Sequence, residues 1–309
     1  MDFSNFQIIP KMYRGANGKK ICISIDNELY MLKFPPLPQR KDSGLKYSNS
    51  CFSEHIACSI FNTLEIPAQK TELGTFTIDG KTKIVVACKD FEVNNYVFQD
   101  FGSLKNSVLT STESGYGTEL DDVLYSINSQ QLLDPEIVKK RFWEMFIVDS
   151  YIGNFDRHNG NWGFLTDLNT LNTKLAPVFD CGSSLFPLAS DEQMKTFLQN
   201  KKDIEYRTFA IPRSALKIND IKINPYEFLQ KTDDQNCIDA LKKITPKILA
   251  QKKNIQKIIE STPYISDIHK TFLQTVLASR EKHILLEAYS LHKTPTLQIH
   301  QQLGKGLER

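Results

Sequence analysis

The sequence predicts an α+β protein of two lobes, a small β-rich N-terminal part followed by a larger helical one. Three observations carry this. Apolar residues alternate with period two, between turn signals, through the first ninety residues. From Asp134 onward the apolar spacing is helical. The chain has 309 residues, 40% hydrophobic and 24% charged, which is ordinary globular usage and enough for two domains or one two-lobed unit. The expected division is residues 1–90, 91–294 and a polar tail at 295–309.

In chain order, Ile8-Ile9-Pro10 leads to a glycine-bearing turn at Gly15-Ala16-Asn17-Gly18. Ile21, Ile23 and Ile25 then read as a strand, Asp26-Asn27 as a turn, and Leu29 to Phe34 as the return strand of a hairpin. Pro35-Pro36 ends it, because proline cannot donate to the ladder. Residues 38–50 are polar and are expected to form a loop. Ser53 is the expected N-cap of a helix through Glu54, Ile56, Ala57, Ile60 and Phe61. Strands are expected around Thr75 to Ile78 and Lys83 to Ala87, joined by an Asp79-Gly80 hairpin turn.

Residues 103–118, rich in Ser, Thr and Gly, are expected to be loop. Asp134 followed by Pro135 is an N-cap with proline at the first helical position. The helix that follows carries Phe142, Phe146, Ile147 and Ile152 and stops at Gly153-Asn154. Short strands are expected at 162–165 and 175–179, and amphipathic helices with Lys-rich outer faces over about 189–292.

The formal net charge of +2 does not support wholesale binding to nucleic acid or to a membrane surface. The N-terminal residues lack a basic and apolar leader pattern, and no apolar run reaches the ~18 residues of a membrane helix, so a cytoplasmic protein as synthesised is expected. Export without a cleaved signal would leave no mark of this kind. Six cysteines, none in a C-x-x-C pair, are expected to be free thiols.

Two stretches carry chemistry. The first is Asn154-Phe155-Asp156-Arg157-His158-Asn159-Gly160-Asn161, and the second is Leu175-Ala176-Pro177-Val178-Phe179-Asp180-Cys181-Gly182. Phosphoryl transfer needs a carboxylate to orient the attacking hydroxyl and oxygen ligands for Mg²⁺. Asp156 and Asn161 have the spacing of the catalytic Asp and metal-binding Asn of the protein-kinase catalytic loop. Asp180 follows a predicted strand and precedes Gly182, the placement of a second metal carboxylate. Asp-Arg-His alone is more often a surface turn, and it is the combination with Asn161 and Asp180 that favours chemistry. His158 has no second His at ligand spacing and reads as a loop histidine supporting Asp156.

The N-x-D-R-H-x-x-N loop followed by L-A-P-x-x-D resembles the HipA-like kinases, and more distantly the phosphatidylinositol kinases. The resemblance covers residues 13–185 with motifs. It implies a protein-kinase-like fold and transfer of the ATP γ-phosphate, with Mg²⁺, to a Ser or Thr of a protein substrate, with autophosphorylation included. It implies Asp156 as the catalytic base and Asn161 and Asp180 as Mg²⁺ ligands. Gly15, Ala16, Asn17 and Gly18 would be the phosphate loop, and Lys33, in a K-x-P context, the ATP lysine. Glu54 stands where a carboxylate could orient that lysine, and equally where a first-turn acid would favour the helix dipole. Val86 to Phe91 resembles the hinge that binds adenine, which adds Lys89 and Phe91 to the nucleotide set, along with His158. The extra N-terminal domain of HipA toxins is not found before Gly15, and this counts against an antitoxin or operator partner. A lipid or small-molecule kinase of the same fold and a toxin-like interaction protein are the alternatives. Arg157 is left without a role, and the oligomeric state is open.

Overall fold

A computed structural model describes residues 1–13, 19–35, 49–109 and 115–293. Gly15, Ala16, Asn17 and Gly18, most of the 38–50 segment and the tail from 294 lie outside the described residues.

Strands β1 (Gln7–Ile9), β2 (Lys20–Ile25) and β3 (Glu28–Lys33) precede helix α1 (Ser50–Thr63), and β4 (Thr71–Ile78) and β5 (Lys81–Lys89) complete an antiparallel sheet of order β1-β2-β3-β5-β4. Both expected hairpin turns form. Asp26 and Asn27 have φ of 49° and 63°, and Asp79 and Gly80 have 49° and 72°. Two left-handed residues in a row match the twist of the flanking strands. The period-two pattern sorts the sheet into faces. Ile23, Ile25, Leu32, Phe34, Val85 and Ala87 close on Phe3 in a small core. Met31, Leu73, Val86 and Cys88 face the other way, into the main core with α1. Lys33, one residue after Leu32, is on that second face.

Helix α1 starts three residues before the expected cap. Asn49 is the N-cap residue, yet its side-chain amide donates to Ala189 O at 2.8 Å instead of capping the helix, so a tertiary contact fixes the start. Ser53 is inside the helix and buried, with its N–H on Asn49 O at 2.9 Å.

Next come β6 (Tyr96–Asp100), α2 (Phe101–Val108), α3 (Leu120–Ser129) and α4 (Pro135–Ile152). The expectation of loop over 103–118 fails over 103–108, which belong to α2, and 110–114 lie outside the described residues. Asp100 caps it by accepting from Ser103 N–H and Oγ, both at 2.8 Å, and Phe101 and Leu104 enter the core. Lys105, with a fully buried side chain, donates to Gly117 O at 2.7 Å. Helix α4 begins as expected, with Asp134 accepting from Glu136 N–H, and ends at Gly153 with φ 68°.

Strands β7 (Gly163–Asp167) and β8 (Thr173–Leu175) join β6 in a second antiparallel sheet. The remainder is α5 (Asp191–Gln199), α6 (Lys201–Phe209), the small hairpin β9 (Lys217–Ile218) and β10 (Ile221–Lys222), α7 (Pro225–Lys231), α8 (Gln235–Ala250), α9 (Lys252–Ser261), α10 (Asp267–Arg280), a π turn at Glu281–Leu286 and α11 (Glu287–Lys293). In α9, Ile255 and Ile259 are buried while Lys252, Lys253 and Lys257 are solvated, as the amphipathic pattern requires. Arg280, only 1% exposed, donates to Ser150 O and Tyr151 O at the end of α4 and to Arg207 O and Ile211 O at the end of α6. The Ser150, Tyr151 and Arg207 carbonyls are among those that a helix terminus leaves without partners.

All six cysteines are free and buried. Among the described residues no helix is long and apolar enough to cross a membrane.

Candidate active site

The loop after α4 is built around one ion pair. Gly153 turns the chain in the left-handed region that favours glycine. Asn154 then donates from its backbone N–H to Asp149 O and from its amide to Asp149 Oδ1, both at 3.0 Å. Its own Oδ1 accepts from Asp156 N–H at 3.1 Å. Arg157 grips Asp149 with Nε to Oδ2 at 2.9 Å and Nη2 to Oδ1 at 3.3 Å. The same guanidinium donates to Asn161 O at 3.0 Å, to Cys181 Sγ at 3.1 Å and to Phe179 O. Arg157 therefore joins α4, the Asp156 loop and the Asp180 loop. It pairs with a buried helix carboxylate, not with Asp156.

The 154–161 loop closes with a single 3₁₀ turn, Asn159–Asn161, capped by His158 Nδ1 accepting from Gly160 N–H at 3.0 Å. That contact fixes the His158 ring as a structural element. Asn159 is buried and donates to Gly115 O and Gly117 O, both at 2.9 Å. Asn161 donates Nδ2 to Asp156 O at 2.8 Å, which leaves its amide oxygen as the free acceptor end.

On the opposite side, Lys33 Nζ is 3.2 Å from Glu54 Oε2 and 3.0 Å from Asp180 Oδ1. The three come from β3, α1 and the loop after β8, so packing of the sheet on α1 assembles them. Glu54 is almost completely buried, whereas the Asp180 side chain keeps 44% of its exposure. Asp180 has φ 55°, a left-handed conformation that Asp tolerates better than most residues. Burial opposes the charge on Lys33, but Asp180 and Glu54 overcome it and hold the ammonium well above the ordinary lysine range. Lys33 in turn holds Asp180 below the usual carboxylate value. Asp156 moves the opposite way, pushed up by burial and by the negative charge of Asp180. Two carboxylates driven apart in this manner are suited to different tasks.

Asp180 offers a carboxylate and Asn161 an amide oxygen, hard-oxygen donors on the two loops that Arg157 joins. Among the described residues no three His, Cys, Asp or Glu side chains form a metal cluster. Two hard-oxygen donors of this kind would suit Mg²⁺, which takes one or two protein oxygens and completes its shell with phosphate and water.

The remaining predicted residues divide. Phe91 packs its ring against Phe179, the residue before Asp180, at 5.4 Å and against Phe98 at 5.6 Å, forming an aromatic wall beside the Asp180 loop. Lys89 is not brought into this group. Its ammonium pairs with Glu28, its N–H donates to Lys70 O and its C=O accepts from Gln69 Nε2. The neighbouring Asp90 is held by Lys11 at 2.6 Å and Tyr13 at 2.7 Å.

Sequence reasoning missed Asp149 and Asn159. Asp149 had a signal. It is a lone carboxylate in Phe146-Ile147-Val148-Asp149-Ser150-Tyr151-Ile152, an apolar run in which a charge requires a buried partner.

A family profile described as the HipA-like C-terminal domain matches residues 13–261. The curated serine/threonine-protein kinase CtkA of Helicobacter pylori strain J99 is 47% identical over 292 residues, which is 94% of this chain and 88% of that protein. The crystal structure of a Helicobacter pylori proinflammatory kinase CtkA superposes with a TM-score of 0.89 at 44% identity, over 96% of this chain and 99% of that one. HipA of Shewanella oneidensis MR-1, solved with HipB and operator DNA, gives a TM-score of 0.55 at 14% identity over 93% of this chain and 68% of that one, a likeness of fold alone.

Proposed function

The chain belongs to the HipA-like C-terminal domain family and has its protein-kinase-like α+β fold, and from this premise we propose that it is an ATP- and Mg²⁺-dependent serine/threonine protein kinase. The observation that carries the proposal is the meeting of Lys33, Glu54 and Asp180 across from the loop that bears Asp156 and Asn161. The acceptor class follows from the likeness to CtkA, a protein named as a serine/threonine kinase.

In this proposal Lys33 steadies the α- and β-phosphates as a point charge, and Glu54 keeps its ammonium in place. Asp156 accepts the proton of the attacking hydroxyl. Its raised pKa brings its basicity nearer to working pH than that of an ordinary carboxylate. Asp180 and Asn161 would hold Mg²⁺, which when bound neutralises charge on the phosphate oxygens. Arg157 keeps both loops in register. The Gly15 to Gly18 stretch would cover the phosphates, and Phe91 would wall the adenine side of a hinge near residues 88–95.

The test is incubation of the purified protein with γ-labelled ATP and Mg²⁺, with and without a generic acceptor protein, beside Asp156→Asn. Label on serine or threonine in the wild type only is the expected result. Label on a phosphoinositide but on no protein would move the proposal to a lipid kinase of the same fold.

A further inference from the structure

We propose that Lys222, on the β9–β10 hairpin, selects the acceptor, favouring serine or threonine in segments that carry Asp or Glu close by. The proposal rests on the kinase function above and names a substrate class for the same centre.

The hairpin is tied to the Asp156 loop through one short strap, residues 115–119. On one side, Asn159 of that loop donates to Gly115 O and Gly117 O, both at 2.9 Å. The Tyr116 ring covers Gly160 so closely that a Cβ there would lie 3.3 Å from Cε1. On the other side, Lys217 N–H donates to Thr118 O at 2.9 Å, and Thr118 Oγ1 to Ala215 O at 2.7 Å. Asp220 N–H closes the tip on Glu119 Oε1 at 2.8 Å. At the base, Ser214 N–H donates to Ile223 O and Ile223 N–H to Leu216 O, both at 2.9 Å, and Leu216 and Ile223 are buried. The hairpin is thus fixed beside the catalytic loop.

Its register pairs Lys222 with Lys217 and Ile221 with Ile218. Cross-strand partners share a face, so the two lysines stand side by side. Like charges so placed oppose the pairing of the strands. Asp220 relieves Lys217 at 3.7 Å. Lys222 is exposed, and among the described residues it forms no ion pair. A carboxylate brought from outside would relieve the two cations.

The charges at the centre fall into two groups. Asp180 has Lys33, Lys20 and Arg157 around it. Asp156 has His158 and Lys222, with Asp180 as the opposing charge. The first group serves the phosphates in the proposed function. Lys222 belongs to the second, beside the carboxylate that the acceptor hydroxyl must reach. His158 Nδ1 accepts from Gly160 N–H, so its ring is structural and Lys222 is the cation open to a substrate. A charge is felt over about 10 Å, or roughly three residues of extended chain. An acidic side chain that near the acceptor reaches Lys222 while the hydroxyl meets Asp156. Asp156 repels a carboxylate, which directs the acidic residue to the hairpin and away from the loop. Tyr116, 52% exposed, gives the strap between them an apolar surface for the intervening segment.

The experiment uses the full chain with MgATP, an oriented serine and threonine peptide library, and dephosphorylated casein as a protein acceptor. The library should show Asp and Glu enriched within about three residues of the labelled position. Defined peptides with Glu, Gln or Lys at the enriched positions then give the rates. Wild-type kcat/KM should be about fivefold higher on the Glu peptide than on the Gln peptide, the upper scale for one exposed ion pair. That ratio should shrink as salt is raised. In Lys222→Ala it should fall to near unity, and in Lys222→Glu the Lys peptide should overtake the Glu peptide. An acidic preference kept in Lys222→Glu, or absent from the wild type, would overturn the proposal and leave the kinase function standing. Label on casein but on no peptide would do the same. A Lys222→Ala variant that loses MgATP affinity and keeps the wild-type peptide ratio would place this lysine on the phosphates and overturn the proposal. No label on any peptide, on casein or on the chain would remove the kinase function and this proposal together.

Discussion

Asp149 and Arg157 form a two-pronged ion pair, Nε to Oδ2 at 2.9 Å and Nη2 to Oδ1 at 3.3 Å, with side chains 6% and 9% exposed. Removing one partner of such a pair strands a buried charge. Asp149→Ala should cost about 3–5 kcal/mol of stability. Asp149→Asn keeps the shape and the contact to Asn154 but weakens the grip on Arg157. It should lower kcat on casein while nucleotide binding changes little, since Lys33 and Glu54 are untouched. Urea denaturation checks the first outcome and steady-state kinetics the second.

Asp156 and Asp180 should separate chemistry from binding. Asp156→Asn is expected to lower kcat by about 10²–10⁴, the range for loss of a general base, with nucleotide affinity largely kept. Asp180→Ala removes a proposed metal oxygen and the partner of Lys33, so MgATP affinity should fall with activity. Fluorescent nucleotide titration beside turnover measures the split. Full activity in both variants would reject the assignment.

The pH profile carries the mark of Asp156. As a base it works deprotonated, and burial followed by Asp180 raises its pKa above the ordinary 3.8. The acid limb of kcat/KM should therefore sit higher than that of a free carboxylate. Lys33 pushes Asp180 the other way, so its contribution to stability persists above 3.8 and is lost only as pH falls through its lowered pKa.

His269 should set an acid limit on stability. It is 3% exposed and stands edge-on to Phe52 of α1, and burial, with Asp191 opposing, lowers its pKa from 6.5 to about 4. The unfolded chain takes up a proton between those values and the folded chain does not. Stability should be unaffected by this group above pH 6.5 and fall as pH drops to about 4, by a few kcal/mol. His269→Phe should flatten that part of the curve in denaturation at stepped pH.

Local signals were legible in the sequence where the physics is local. Asp26-Asn27 and Asp79-Gly80 gave their turns, and Asp134-Pro135 gave its cap, because each depends on a few neighbouring dihedrals. The loop of Asp156 and Asn161 was legible because one short segment must carry both groups. Tertiary effects were not. Helix α2 is poor in helix formers, and Asp100 and the packing of Phe101 and Leu104 decide it. The start of α1 depends on Ala189, far along the chain. Glu54 left two readings open because spacing cannot say which way a helix faces a sheet, and its 3.2 Å approach to Lys33 is a fact of packing. The Lys89 side chain is a matter of packing in the same way, since Glu28 on the neighbouring strand takes its ammonium.

Arg280 has a consequence for synthesis. The platform under the Gly153 turn is finished by a side chain from α10, which leaves the ribosome long after Asp156 and Asp180. Until then the carbonyls of Ser150, Tyr151, Arg207 and Ile211 lack the donor that ties α4 to α6. A growing chain thus holds every group proposed for phosphate transfer before it has the foundation that aligns them. The alignment of the Asp156 loop thus depends on a residue that lies far downstream of it in the chain.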